Sequence, residues 1–448
     1  MKPPTYPETK ASGFKGLGHL PNHWEVVRGR FVMQVNPPAP RLRILQPDDE
    51  VSFVPMEALG EYGGLNLEQT RVIADASSGY TEFQNGDVVV AKITPCFENG
   101  KAALARDLVN GAAYGTTELL VLRAGSALEA GFLFYIVISD IFRKLGESEM
   151  YGAGGQKRVP PEFTKDFPMP VPPLPEQRQI ATFLDWKTGQ IDALIARKKE
   201  LLNKLKEKRT AIITQAVTKG LNPGAPTRDS GIPWLGQVPE HWKVGGFTKY
   251  VEHRADYRGK TPEKVRDGIF LVTAKNIKFG KIDYEASQEY VREDEYDTIM
   301  SRGLPRLGDL LFTTEAPLGE VANVDREDIA LAQRVIKFRG EPKKLNNYFA
   351  KYWMMSAPFQ GHLSSLATGS TAKGIKASKL FALRCVVPPL DEQGTIVAYL
   401  NSKLEDFAGM EEKIEGAINI LTEFRNALIT AATTGKIDLR NVGYGPTQ

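Results

Sequence analysis

The chain has 448 residues, 42% of them hydrophobic and 25% charged, which is enough apolar content for sizeable cores and argues against a disordered protein. A formal net charge of +3 is compatible with a nucleic-acid partner without announcing one. The two cysteines, Cys96 and Cys385, lie far apart and in no C-x-x-C pattern, which argues against a disulfide framework or a structural zinc site and fits a reducing cytoplasm.

The first residues, MKPPTYPETKASG, are polar and proline-rich, without the apolar core of a signal peptide. The longest apolar run, 132–138, is far short of the roughly 20 residues that cross a bilayer, so a soluble cytoplasmic protein without a membrane partner is expected.

In chain order, the opening carries Ser12-Gly13, Leu17-Gly18, Pro21 and His23-Trp24, and 218 positions later the same set returns as Ser230-Gly231, Leu235-Gly236, Pro239 and His241-Trp242. A repeat of this length decides the architecture before any local motif does. Gly86-Asp87 followed by Val88-Val89-Val90 predicts a turn and a short strand, and Gly308-Asp309 before Leu310-Leu311-Phe312 predicts the same in the second copy. One helix is predicted over 132–145, with a counterpart over 348–361.

A small-residue loop ending in Gln156-Lys157 matches one ending in Lys373. Then Val171-Pro172-Pro173-Leu174 with Glu176-Gln177 matches Val387-Pro388-Pro389-Leu390 with Glu392-Gln393: prolines stop a strand, and acidic residues favour the positive end of a helix. Each junction opens a long proline-free stretch.

From Glu176 to Lys219 the residues Ile180, Leu184, Ile191, Leu194, Leu201, Leu205 and Ile212 keep heptad spacing. From Asp391 to about Lys436, Ile396, Leu400, Phe407, Met410, Ile414, Leu421, Phe424 and Leu428 do likewise. Such narrow seams want another helix. The first stretch holds ten basic and five acidic side chains and the second four and eight, so the two attract.

The expected fold is therefore α+β: two globular mixed α/β domains separated by two long antiparallel helices that form a coiled-coil spacer, related by an internal pseudo-twofold repeat. The expected boundaries are 1–174 for the first globular block, 175–222 for the first helix, 223–389 for the second block, and 390–448 for the second helix and tail.

A pair of compact readers at a set distance suits two DNA half-sites. It also suits a double-headed adaptor that binds proteins. The residues best able to reach phosphates and base edges are Lys92, Thr94, Asn99 and Lys101 on the loop that also holds Phe97, and Gln156, Lys157 and Arg158 on the next. Their counterparts in the second block are Thr313, Thr314 and Glu315, with Ser370, Thr371 and Lys373, and Gln333-Arg334 form a third candidate. Singly, each reads more readily as a solvated loop residue; as aligned loops they carry more weight. His19 and His23 are four apart, but Pro21 between them argues against a helical metal pair, and the repeated His-Trp reads as structural.

The junctions VPPLPEQRQIATFL and VPPLDEQGTIVAYL, the loops KITPCFENGK and LFTTEAPLGEVA, and the repeated P-x-H-W openings together resemble the specificity subunit of a type I restriction-modification enzyme, over nearly the whole chain. The resemblance implies two target recognition domains that read an asymmetric, interrupted double-stranded DNA sequence, with helix length setting the unread gap. It implies a non-catalytic chain with no cofactor of its own. S-adenosylmethionine would belong to two copies of a methyltransferase subunit docked on the helices, and ATP to a restriction and translocase subunit. No phosphate loop and no G-x-G-x-x-G helix opening is present, and Asn36-Pro37-Pro38 lacks the aromatic residue of an adenine methyltransferase motif and reads as a turn.

Overall fold

The computed structural model describes residues 4–14, 16–76, 79–153, 155–257, 262–369 and 373–443. The chain forms two compact units, one of 1–198 with 416–448 and the other of 199–415. Each unit combines a mixed block with the near part of one long helix and the far part of the other.

In the first unit, Met33–Val35, Leu119–Ala124, Asp87–Ala91 and Ala102–Leu104 form an antiparallel four-stranded sheet. A second sheet orders Thr70–Val72, Glu50–Val54, Ala112–Gly115 and Thr81–Gln84, with only the central pair parallel. The second unit repeats the plan. Val251–Asp256, Val335–Gly340, Leu310–Thr314 and Leu318–Asn323 make the antiparallel sheet, and Ile269–Val272 runs parallel to Ile329–Leu331 in the smaller one.

The Gly-Asp turn that opens a central strand also closes the sheet. Asp87 receives the fork of Arg123 at 2.6 and 2.7 Å, and Asp309 receives that of Arg339 at 2.7 Å twice. Burial alone would push the Asp309 carboxyl up, but the Arg339 fork, the Arg306 amide and the Lys337 charge carry it below the usual range. Lys337, itself 1% exposed, lies 3.2 Å from Asp309.

The first long helix spans Leu174–Lys219 and the second Leu390–Thr433. Pro175 falls in the first turn, where its missing N–H costs no helical bond. In the first unit Gln179 Nε2 meets the carbonyls of Leu439 and Arg440 while Asp192 pairs with Arg425 at 2.6 Å, so one helix ascends as the other descends. In the second unit the apolar side chains of Ile213, Ala216 and Val217 share a core with Ile396, Val397 and Leu400.

The seam keeps its heptad period, but its phase departs from the expected one at four places. Leu194 and Leu201 are 46% exposed, Met410 is 51% and Phe424 is 50%. Their next neighbours, Ile195, Leu202, Glu411 and Arg425, turn inward instead. Adjacent apolar residues cannot settle a phase by hydropathy, and on the second helix polar residues occupy two seam positions.

The predicted helix 132–145 is two, Ala130–Ile138 and Asp140–Ser148, broken at Ser139, whose hydroxyl accepts from the Phe142 amide. The counterpart is broken likewise at Ser356, between Asn347–Met355 and Ala357–Leu366.

Both block-to-helix junctions are built by the Glu-Gln pair. Glu176 accepts from Tyr6 Oη at 2.5 Å and Trp24 Nε1 at 3.1 Å and lies 2.8 Å from His23 Nε2. Glu392 does the same for His241 and Trp242. The repeated His-Trp is therefore structural, as expected, and the glutamates serve side chains rather than only the helix dipole. Gln177, fully buried, donates to the carbonyls of Ala127 and Pro172 and accepts from the Glu129 amide. Gln393 makes the matching three bonds with Lys344, Pro388 and Asn346. Among the described residues no helix is long and apolar enough to cross a membrane.

Candidate nucleic-acid interface

The sheet strand Asp87–Ala91 delivers the chain into the loop 92–101, and three segments meet there. The Lys92 amide donates to Glu118 O at 2.9 Å, and the Val159 amide donates to Lys92 O at 2.8 Å. Thr94 bonds the Lys157 carbonyl through both its amide and its hydroxyl, and the same hydroxyl accepts from the Lys157 amide at 2.7 Å. The structure thus stitches the two loops expected to read DNA into one corner.

Within that corner the side chains have different fates. Asn99, Gln156 and Lys157 are exposed, and Lys92 is half-buried. Thr94 spends its hydroxyl inside the corner, and Lys101 Nζ donates to Met56 O at 3.0 Å. Arg158 gives its fork to Glu118 at 2.9 and 2.7 Å. That hydrogen bond, opposed by burial and helped by the charges of Arg158 and Lys92, holds the Glu118 carboxyl below its usual range. Phe97, read from sequence as a ring on the loop, is 1% exposed and packs on Phe142 in the core, so it is no stacking platform. Tyr151, not singled out by its sequence, is 62% exposed beside Arg158, with which it exchanges backbone hydrogen bonds.

The second unit repeats the corner with other side chains. The Thr314 amide donates to Arg334 O at 2.8 Å, and the Ile375 amide donates to Thr314 O at 3.0 Å. An isolated bridge joins Glu315 to Gly374 as one joins Ile93 to Arg158. Thr313 is buried and its hydroxyl accepts from the Glu320 amide, while Thr314, 2% exposed, bonds Arg334 O. These two threonines hold the corner and present no group to solvent.

Glu315 and Arg334 pair at 3.4 Å, about half-exposed. Gln333 is half-buried and Lys373 exposed. Ser370 and Thr371 lie outside the described residues. A cavity of about 270 Å³ beside this corner is lined by Lys264, Thr273, Lys275, Gln333 and Arg334. No local pattern points to Lys264 and Lys275, which come from an irregular segment and the short 3-10 helix Ala274–Asn276.

Comparison with known proteins finds the domain twice in the chain. The profile described as type I restriction modification DNA specificity domain matches residues 54–207 and again 272–419. The EcoAI specificity subunit of Escherichia coli is 41% identical, over 92% of this chain and 83% of its own length. The MjaVIII specificity subunit of Methanocaldococcus jannaschii is 25% identical over 98% of both. A solved chain from a study of the assembly and conformational transition of a type I R-M system shares the fold, with a TM-score of 0.69 and 19% identity over 93% of this chain and 99% of that one. With both copies of the domain matched and a relative aligned over most of its length, the chain belongs to the family of type I restriction enzyme specificity subunits.

Proposed function

We propose that the two blocks, 1–174 and 223–389, are target recognition domains that each read one part of an interrupted double-stranded DNA site. The helices, 175–222 and 390–448, are then the spacer. The observation that carries this reading is the corner just described: one backbone scaffold present twice, exposing Asn99, Gln156 and Lys157 in one copy and Arg334 and Lys373, beside a half-buried Gln333, in the other. Lysine and arginine suit guanine and phosphate, and glutamine and asparagine suit adenine.

In this reading the chain binds and does no chemistry. Two methyltransferase subunits dock on it and carry S-adenosylmethionine, a restriction and translocase subunit carries ATP, and the assembly works in the cytoplasm. Exposed apolar side chains on the helices, such as Leu194 and Phe424, offer the docking methyltransferase a surface.

Footprinting with the methyltransferase present tests the reading: two short protected sites separated by a constant gap are expected, and protection indifferent to sequence would overturn it. Inserting four residues, about 6 Å of helix, into 175–222 should lengthen the gap by one or two base pairs and leave both half-sites unchanged.

A further inference from the structure

Beside the corner of the second unit, the cavity of about 270 Å³ is lined by three cations, Lys264, Lys275 and Arg334, and by one carboxylate, Glu289. Glu289 lies 2.7 Å from Lys264 Nζ, so one of the three charges is offset inside the cavity. Arg334 meets Glu315 at 3.4 Å, longer than a charge-assisted hydrogen bond, and Glu315 does not line the cavity. Lys275 is exposed and, among the described residues, makes no ion pair.

The same place in the first unit is marked by its backbone bonds. The Leu271 amide donates to Glu289 O at 2.8 Å as the Phe53 amide does to Gln69 O at 2.9 Å. The Ala332 amide donates to Val272 O as that of Thr116 does to Val54 O, and the Thr314 amide meets Arg334 O as the Lys92 amide meets Glu118 O. The short helix Ala274–Asn276 follows its strand one residue on, as Met56–Ala58 follows Glu50–Val54.

Lys275, Arg334 and Glu289 therefore stand where the first unit has Glu57, Glu118 and Gln69. Two cations and a carboxylate replace two carboxylates and an amide. Glu57 is exposed like Lys275, so this edge changes sign between the copies while the backbone under it does not. A polyanion laid alike against both units would be drawn to one edge and repelled by the other.

Resting on the DNA-reading assignment, we propose that the cavity seats a phosphate of the DNA backbone at the second half-site, held by Lys275 and Lys264, and that the first unit makes no such contact. Lysine serves phosphate as a mobile point charge. Gln333 and Arg334, which line the same cavity, are left for the adjoining base edge, and the phosphate contact fixes the register in which they meet it. The second half-site is then gripped by charge more than the first.

The test uses the full-length chain with the methyltransferase and a duplex carrying both half-sites as footprinting defines them. Lys275→Gln should lower the salt slope of binding by about one charge and weaken binding about three- to tenfold at low salt, with the unfolding temperature unchanged. Glu289→Gln, which installs the amide of the first unit and frees Lys264, should tighten binding and steepen the slope, a gain that misfolding cannot mimic. A single methylphosphonate at the seated position, within the second half-site, should remove the effect of Lys275→Gln. An unchanged slope in Lys275→Gln overturns the proposal, and so does an altered base preference, which would put Lys275 on a base edge. Saturable binding of inorganic phosphate with an unchanged duplex slope makes the cavity a free-anion site and also overturns it. All three leave two sequence-specific footprints in place, whereas footprints indifferent to sequence overturn the DNA-reading assignment itself and the phosphate seat with it.

Discussion

At the candidate corner of the first unit, Glu118 pairs with Arg158; at the matching place in the second unit stands Arg334, and its partner is Glu315. The sign at that place is reversed and the partner comes from another position: Glu315 stands where the first unit has Ile93, and Gly374 where it has Arg158. Beneath both, the same amides meet the same carbonyls, and the same buried glutamine ties block to helix. Two readers descended from one unit need a common backbone and different exposed groups, and the contrast shows the two demands met by separate sets of residues: those with buried hydrogen bonds repeat, and those facing solvent do not.

The contrast can be broken most sharply at the sheet closure. Asp309→Ala should cost about 3–5 kcal/mol, because it leaves the buried Lys337 without a counter-charge. Asp87→Ala strands the Gln84 amide and Arg123, which also reaches Pro38 O and is 21% exposed, and should cost about 1–3 kcal/mol. Equal losses in denaturant titrations would mean that the extra lysine adds nothing.

The junctions give the next effect. Glu176 serves Tyr6, His23 and Trp24, whereas Glu392 serves two donors and is more exposed. Glu176→Ala should therefore destabilise by about 2–3 kcal/mol and Glu392→Ala by about 1 kcal/mol. At the corners proposed to read DNA, Lys157→Ala should weaken binding to the first half-site about five- to tenfold and leave discrimination at the second intact, with Arg334→Ala the converse. Uniform loss on all duplexes would place the residue on phosphate rather than on a base edge.

The smallest effect is a pH dependence of one unit. The Lys351 amine, held down to about 8, lies below the ordinary lysine value, so the folded state bears the cost of charging it most fully below pH 8. Stability should rise as pH climbs from about 8 towards the ordinary value, and Lys351→Met should remove that slope in thermal melts.

The duplicated blocks, the long helices and the family were legible because repeats of Gly-Asp, Pro-Pro and His-Trp survive as sequence wherever a buried bond demands a particular residue. The seam phase was less so: Leu194-Ile195 and Leu201-Leu202 offer two apolar choices, and packing decides between them. The loops of the candidate corner were legible as loops; which of their side chains face solvent was not. Thr313, Thr314 and Lys101 have the chemistry to read DNA, yet spend their polar atoms inside the protein, which depends on neighbours such as Glu320 and Met56 that no local pattern reveals. Lys264 and Lys275 were missed because distance in sequence hides a shared cavity.

The buried amides of Gln177 and Gln393 have a mechanical meaning. A helix of 46 residues is a lever about 70 Å long, and its fulcrum is the side chain that fixes how the helix leaves its block. A tilt of about 5° there moves the far end by about 6 Å, close to two base-pair steps of 3.4 Å. Gln177→Ala would then loosen the aim of the molecule more than its stability, and the signature would be a blurred tolerance for gap length with both half-sites still recognised.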